Sequence, residues 1–284
     1  MLRQPFDIRC LVFGVRNLKN IEHRTLNIEY RTPGHSLRFC CRRGRRQRPR
    51  TEYYKMNNPG FISFQKNFPG FFHRYRVEEK SIRNIQLSDL FQHQFPLLSR
   101  LLNSAEALNI HANDQPHILY TWNRTDGANC GWLCKVEEPR LDISFIPEHR
   151  ILLSEMGGIQ ESYGSDEKDL ALCQFFLFTG SRCEAGLGDL KIAYEDWCIQ
   201  CGYTPLPTDH LITFVIEGNG NRTLYDPTTG KVLLYAFDHN FNFVTPVPDQ
   251  PEPTFYTIHG ADTFTEYVEL LARQWLEFVK KEEG

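Results

Sequence analysis

Cys198-Ile-Gln-Cys201 has the spacing of half a zinc site, with Cys173, Cys183, His210 or the Cys130/Cys134 pair as further thiol and imidazole donors. A tetrahedral site needs a second knuckle at regular spacing, and none is present. The simpler reading places Trp197, Cys198 and Cys201 at a helix end as buried apolar groups, so no metal is expected. Asp238-His239 has the side chains for acid/base work, but neither a Gly-x-Ser-x-Gly elbow nor a Cys/His signature supplies a nucleophile beside it. Gly218-Asn-Gly220 lacks the lysine and following helix of a phosphate-binding loop and reads as a hairpin turn. The expectation is a protein with no catalytic residue and no cofactor, acting by binding.

Charge says what it would bind. The net charge of -3 conceals opposite ends: residues 1–80 hold 18 Lys+Arg against 6 Asp+Glu, and residues 81–284 hold 14 against 29. The densest basic run contains Arg42, Arg43, Arg45, Arg46, Arg48 and Arg50, followed by Tyr53, Tyr54 and several phenylalanines. Cations that neutralise phosphates and rings that stack on bases make RNA or DNA the alternative partner for this segment. A solvated Arg/Gly/Pro loop is the plainer account, since no recognition motif accompanies the charge. Residues 138–284 hold 24 Asp+Glu against 10 Lys+Arg, a field that steers a cationic protein. The candidate contacts are Glu155, Glu161, Asp166, Glu167, Asp169, Glu184, Asp189, Glu195 and Asp196.

The elements that would carry these residues belong to an α+β protein. The chain of 284 residues is 41% hydrophobic and 24% charged, enough to build a core. It has no apolar run of transmembrane length, and arginine, proline and aspartate interrupt its N-terminus, so neither membrane span nor secretory signal is expected. Nine cysteines, an odd number, favour reduced thiols and a cytoplasmic location. Residues 1–137 form a basic, β-rich region, with strands over residues 6–13, 25–30 and 36–40. Residues 51–80 read as mostly irregular because Asn58-Pro-Gly60 and Phe68-Pro-Gly70 act as breakers. A helix follows from Ser88 to about residue 109, kinked or split at Pro96, and then a hairpin over 117–136. The polar stretch 137–140 marks a boundary. Beyond it come helices at 147–156, 165–178 and 189–202, a three-strand meander over 211–237, a short strand at 255–258, and a last helix opened by the Thr263/Glu266 capping box. In the 189–202 helix, Leu190, Tyr194, Trp197 and Cys201 fall on one side.

Four of these pieces, in order, carry a family resemblance over residues 138–279. They are Pro147-Glu-His-Arg leading to Gly157-Gly158, the turn Glu217-Gly-Asn-Gly-Asn221, the segment from Leu224-Tyr-Asp-Pro to Asp238-His239, and Thr263-Phe-Thr-Glu-Tyr267 opening the last helix. This acidic half resembles the SUKH superfamily, or Smi/Knr family. The resemblance implies a mixed or antiparallel sheet wrapped by helices and a non-enzymatic role: bacterial members neutralise toxins, yeast members are interaction hubs, and viral relatives act against host defence. It implies an immunity-type protein that holds a cationic toxin or signalling protein by stoichiometric binding. The helix-then-hairpin order of residues 88–136 echoes the second half and suggests a degenerate second copy.

Overall fold

The computed structural model describes residues 58–137, 140–164, 174–236 and 243–279. The strands expected over residues 6–40 and the Asp238-His239 pair lie outside the described residues.

Proline opens four of the described helices. It has no N–H to leave unsatisfied at the first helical position, and its fixed φ suits that place. This corrects the irregular reading of residues 51–80: the two Pro-Gly breakers start α1 (Pro59–Asn67) and α2 (Pro69–Arg74), with the Asn58 side chain capping the Phe61 N–H at 3.1 Å. An edge strand, β1 (Val77–Arg83), follows. The helix expected over 88–109 is two, α3 (Asp89–Gln94) and α4 (Pro96–Asn103), divided at Pro96. Its last part is instead the strand β2 (Glu106–Ala112), paired along its whole length with β3 (Gln115–Asn123). Then come β4 (Asn129–Lys135), α5 (Pro147–Glu155), β5 (Gly158–Tyr163) and β6 (Gln174–Leu177). The last of these corrects the end of the helix expected over 165–178. A short apolar run fits a buried strand as well as a helix, and pairing with its neighbours decides the case. The chain continues through β7 (Glu184–Ala185), α6 (Lys191–Cys201), β8 (Ile212–Glu217), β9 (Arg222–Tyr225), β10 (Val232–Tyr235), β11 (Val244–Pro246), β12 (Phe255–Ile258) and α7 (Phe264–Phe278). The Thr263 hydroxyl and Glu266 carboxylate form the capping box that opens α7.

The protein is α+β, and its strands form one antiparallel sheet in the order β1-β2-β3-β4-β5-β6-β8-β9-β10-β12-β11, with β7 also on β8. The strands on either side of residues 137–140, β4 and β5, are hydrogen-bonded neighbours in that sheet. Alternation along each strand sends side chains to two faces. On the first face α3, α4, α5 and α7 enclose the main core, where Trp122, Trp132 and Trp275 meet at ring separations of 4.7–5.5 Å. The Trp122 indole N–H donates to the Leu101 carbonyl at 2.9 Å. Glu269 of α7 accepts from the Leu97 and Leu98 N–H groups at 2.8 and 3.1 Å and so caps α4, whose own N-cap residue is Phe95. The second face carries two smaller clusters, α1 and α2 over β2–β5 and α6 over β8–β12.

Candidate functional site

The helix α6 grows from a 3₁₀ turn at Gly188–Leu190 and ends at Gly202, whose φ of 78° lets the Tyr203 N–H reach back to the Cys198 carbonyl at 2.8 Å. Only Tyr194 and Cys198, one turn apart, are buried against the sheet. The Tyr194 hydroxyl accepts from the Leu206 N–H at 2.8 Å and donates to Gln250, which fixes the helix to the neighbouring loop. Tyr194 and Cys198 are inward as the sequence implies, but the expectation is corrected for the other two residues: Cys201 is exposed and Trp197 is 43% exposed. Ile192 and Ile199 are 71% and 69% exposed, and with Asp196 and Tyr203 they follow i, i+4, i+7 and i+11 along the outside. The helix thus presents Ile192 and Ile199 to solvent with Asp196 between them, and Tyr203 follows just past its cap. No group of three or more His, Cys, Asp or Glu side chains among the described residues is placed to hold a metal, around Cys198 or elsewhere.

The nine acidic candidates lie in different places. Glu184 and Asp189 converge on buried Arg222, at 2.7 and 2.9 Å, beside the start of α6. Glu195 stands 3.7 Å from the Lys191 ammonium one turn earlier, while Asp196 is exposed and makes no ion pair among the described residues. Glu155 is partly buried at the end of α5, across the sheet from α6. Glu161 is inside a cavity. Asp166, Glu167 and Asp169 lie outside the described residues, as do Arg42, Arg43, Arg45, Arg46, Arg48 and Arg50.

That cavity, about 350 Å³, opens on the second face between α2 and β5. A β-bulge between Leu133 and Cys134 shifts the pairing of β4 with β5, from Leu133↔Glu161 to Cys134↔Ile159. Consecutive residues of a regular strand point to opposite faces; here Gln160 and Glu161 both line the cavity. Burial pushes the Glu161 carboxyl up to about 7, against the opposing pull of Arg74. Burial first, and Lys135 in smaller part, holds His117 below the usual histidine range; its Nδ1 is 2.9 Å from the Gln115 carbonyl and its Nε2 is 3.0 Å from Gln160 Oε1. Lys135 is paired with Glu137 at 3.2 Å, and Glu137 also accepts from the Ser181 N–H at 2.8 Å.

The far wall begins at Phe178, a bulky residue held at φ 60°, where a side chain costs about 1–3 kcal/mol. Its carbonyl accepts from His149 Nε2 at 2.8 Å, and its ring enters the main core. His149 is fully buried, and its Nδ1 accepts from the Tyr225 hydroxyl at 3.2 Å. Burial lowers it to about 4, so it is a neutral core residue that fixes the turn. Thr179 follows and faces the cavity. At Gly158 a Cβ would stand 2.1 Å from the Thr179 Cα, so only glycine lets β5 approach this wall. Sequence reading placed Glu161 among surface contacts and gave His117, Gln160 and Arg182 no role. The bulge that joins them is a matter of register between two strands, which no local pattern encodes. Compared with protein-family models, curated proteins and solved structures, the chain matches none.

Proposed function

We propose that the protein works without catalysis, by holding a cationic protein partner on the outward face of α6. The observation that carries this reading is the exposed pair Ile192 and Ile199 with Asp196 between them, Tyr203 just past the helix end and part-exposed Trp197 on the flank. Aromatic and aliphatic anchors with a charged rim are the composition of a protein interface, and exposed apolar groups gathered on one helix mark interaction sites. The sign of the partner follows from the acidic rim and the excess of 24 Asp+Glu over 10 Lys+Arg in residues 138–284. Within this reading, immunity-type inhibition of a basic toxin in the cytoplasm is the use that the resemblance to the SUKH superfamily suggests.

The test is a phage-displayed random peptide library panned on the wild-type chain. Enriched peptides should combine Lys or Arg with apolar residues, bind more weakly as salt rises, and lose at least tenfold in affinity on Asp196→Lys and on the Trp197→Ser/Ile199→Ser double change. Acidic peptides, peptides indifferent to both variants, or no enrichment would count against the reading.

A further inference from the structure

We infer that the cavity between α2 and β5 binds a small organic anion, with a carboxylate or phosphate held by Arg74 and Arg182 and hydrogen-bonded by Glu161. This site lies apart from α6 and would serve a different class of ligand. Its volume falls at the lower end of the ~300–1,000 Å³ typical of small-molecule pockets. Three departures from regular backbone converge on it: the bulge that turns Gln160 and Glu161 to one side, the left-handed Phe178, and the close approach at Gly158. Such devices re-aim side chains and persist where the surrounding structure holds them in place.

The charges decide what would enter. The Lys135 ammonium and the Glu137 carboxylate already answer each other at 3.2 Å. The Arg182 guanidinium makes no hydrogen bond or ion pair among the described residues, and Arg74 donates only to the Gly70 carbonyl at 3.3 Å. Two guanidinium forks therefore face the cavity uncommitted, the geometry that suits a carboxylate or phosphate. The Glu161 carboxyl accepts no hydrogen bond among the described residues. In its acid form, dominant below about pH 7, it becomes a donor instead of a competing anion. Phe71 of α2 and Tyr75, the residue that ends it, supply an apolar wall for the rest of the ligand.

Binding should therefore take up a proton. The charged and titratable groups that line the cavity with Glu161 are Arg74 at the end of α2 and Tyr75 just after it, His117 on β3, Lys135 at the end of β4, itself paired with Glu137, and Arg182 beyond Thr179. The probes are benzoate, whose charge is constant over the range used, phenyl phosphate, and benzylamine as the cationic counterpart, titrated by calorimetry into the full chain. Benzoate or phenyl phosphate should bind one to one, and Arg182→Gln should weaken it about tenfold. Benzoate binding should weaken about tenfold from about pH 6 to about pH 8, and Glu161→Gln, which keeps a neutral donor, should bind with that pH dependence gone. Phenyl phosphate alone would identify the anion as phosphate, and benzoate alone as carboxylate. Preference for benzylamine, no binding of either anion, or an unchanged pH dependence in Glu161→Gln would overturn the proposal.

Discussion

On the second face of the sheet, α1 and α2 turn Phe61, Phe64 and Phe71 inward and bury all three, whereas α6 seats only Tyr194 and Cys198 and leaves Ile192, Trp197 and Ile199 in solvent. Both coverings shield the same kind of surface. The first invests its aromatic side chains in the fold and leaves only Ile62 of its large apolar residues exposed, and the polar cavity opens at its edge. The second covers its strands with two side chains and a tether through Tyr194 and Gln250, so its outward apolar residues contribute little that folding requires. Apolar side chains in surplus of what the core needs are the physical signature of a surface kept for something else.

The largest effect should come from breaking the first covering. Phe64→Ala is expected to cost about 3–5 kcal/mol in urea unfolding, because a fully buried ring leaves a cavity among Phe68, Phe71, Phe72 and Tyr163. A cost below about 1 kcal/mol would erase the contrast with α6.

Next in size is a pH effect in which the two faces oppose each other. Buried His149 titrates near 4 in the folded chain and near 6.5 unfolded, so the unfolded chain holds the extra proton between these values and stability rises with pH by about 3 kcal/mol. Glu161 has the opposite sign. Its folded value, about 7, lies above its ordinary 4.5, so the folded chain holds the proton and stability falls by about 2–3 kcal/mol as pH rises through that window. The two should nearly cancel in the wild type. Glu161→Gln should uncover the His149 slope in unfolding measured from about pH 4 to about pH 7; an unchanged profile would mean that Glu161 is not buried as described.

A smaller loss, about 1–2 kcal/mol, is expected for Glu269→Ala, which removes the carboxylate that caps α4. The smallest stability change belongs to α6: Ile199→Ser should shift unfolding by less than about 0.5 kcal/mol. A loss of 2 kcal/mol or more there would mean that the outward residues serve the fold.

Much of the second half was legible because its signals are local. Pro147 and Gly157 bound α5, the Thr263/Glu266 pair opens α7, and the turn residues at 217–221 and 226–230 divide β8, β9 and β10. The misreadings arose where one residue type serves two purposes. Pro-Gly at 59–60 and 69–70 starts helices as readily as it ends them, and Gln174–Leu177 is apolar in a way that suits strand or helix. At α6 the helical period was clear but its phase was not. Tyr194 and Cys198 are buried as the spacing implies, but the same spacing admits Trp197 and Cys201 on the inward side, and these two face solvent instead. The cavity was invisible for a further reason: Glu161, Gln160, His117 and Arg182 come together only through strand register, a bulge and one left-handed phenylalanine.

The most direct measurement is amide hydrogen exchange of the chain with and without the tightest basic peptide selected on it. Exchange should slow chiefly at residues 191–203, that is, in α6 and just past its cap, and should not slow in the Trp197→Ser/Ile199→Ser variant. Protection confined to another part of the sheet, with α6 exchanging as in the free chain, would contradict it.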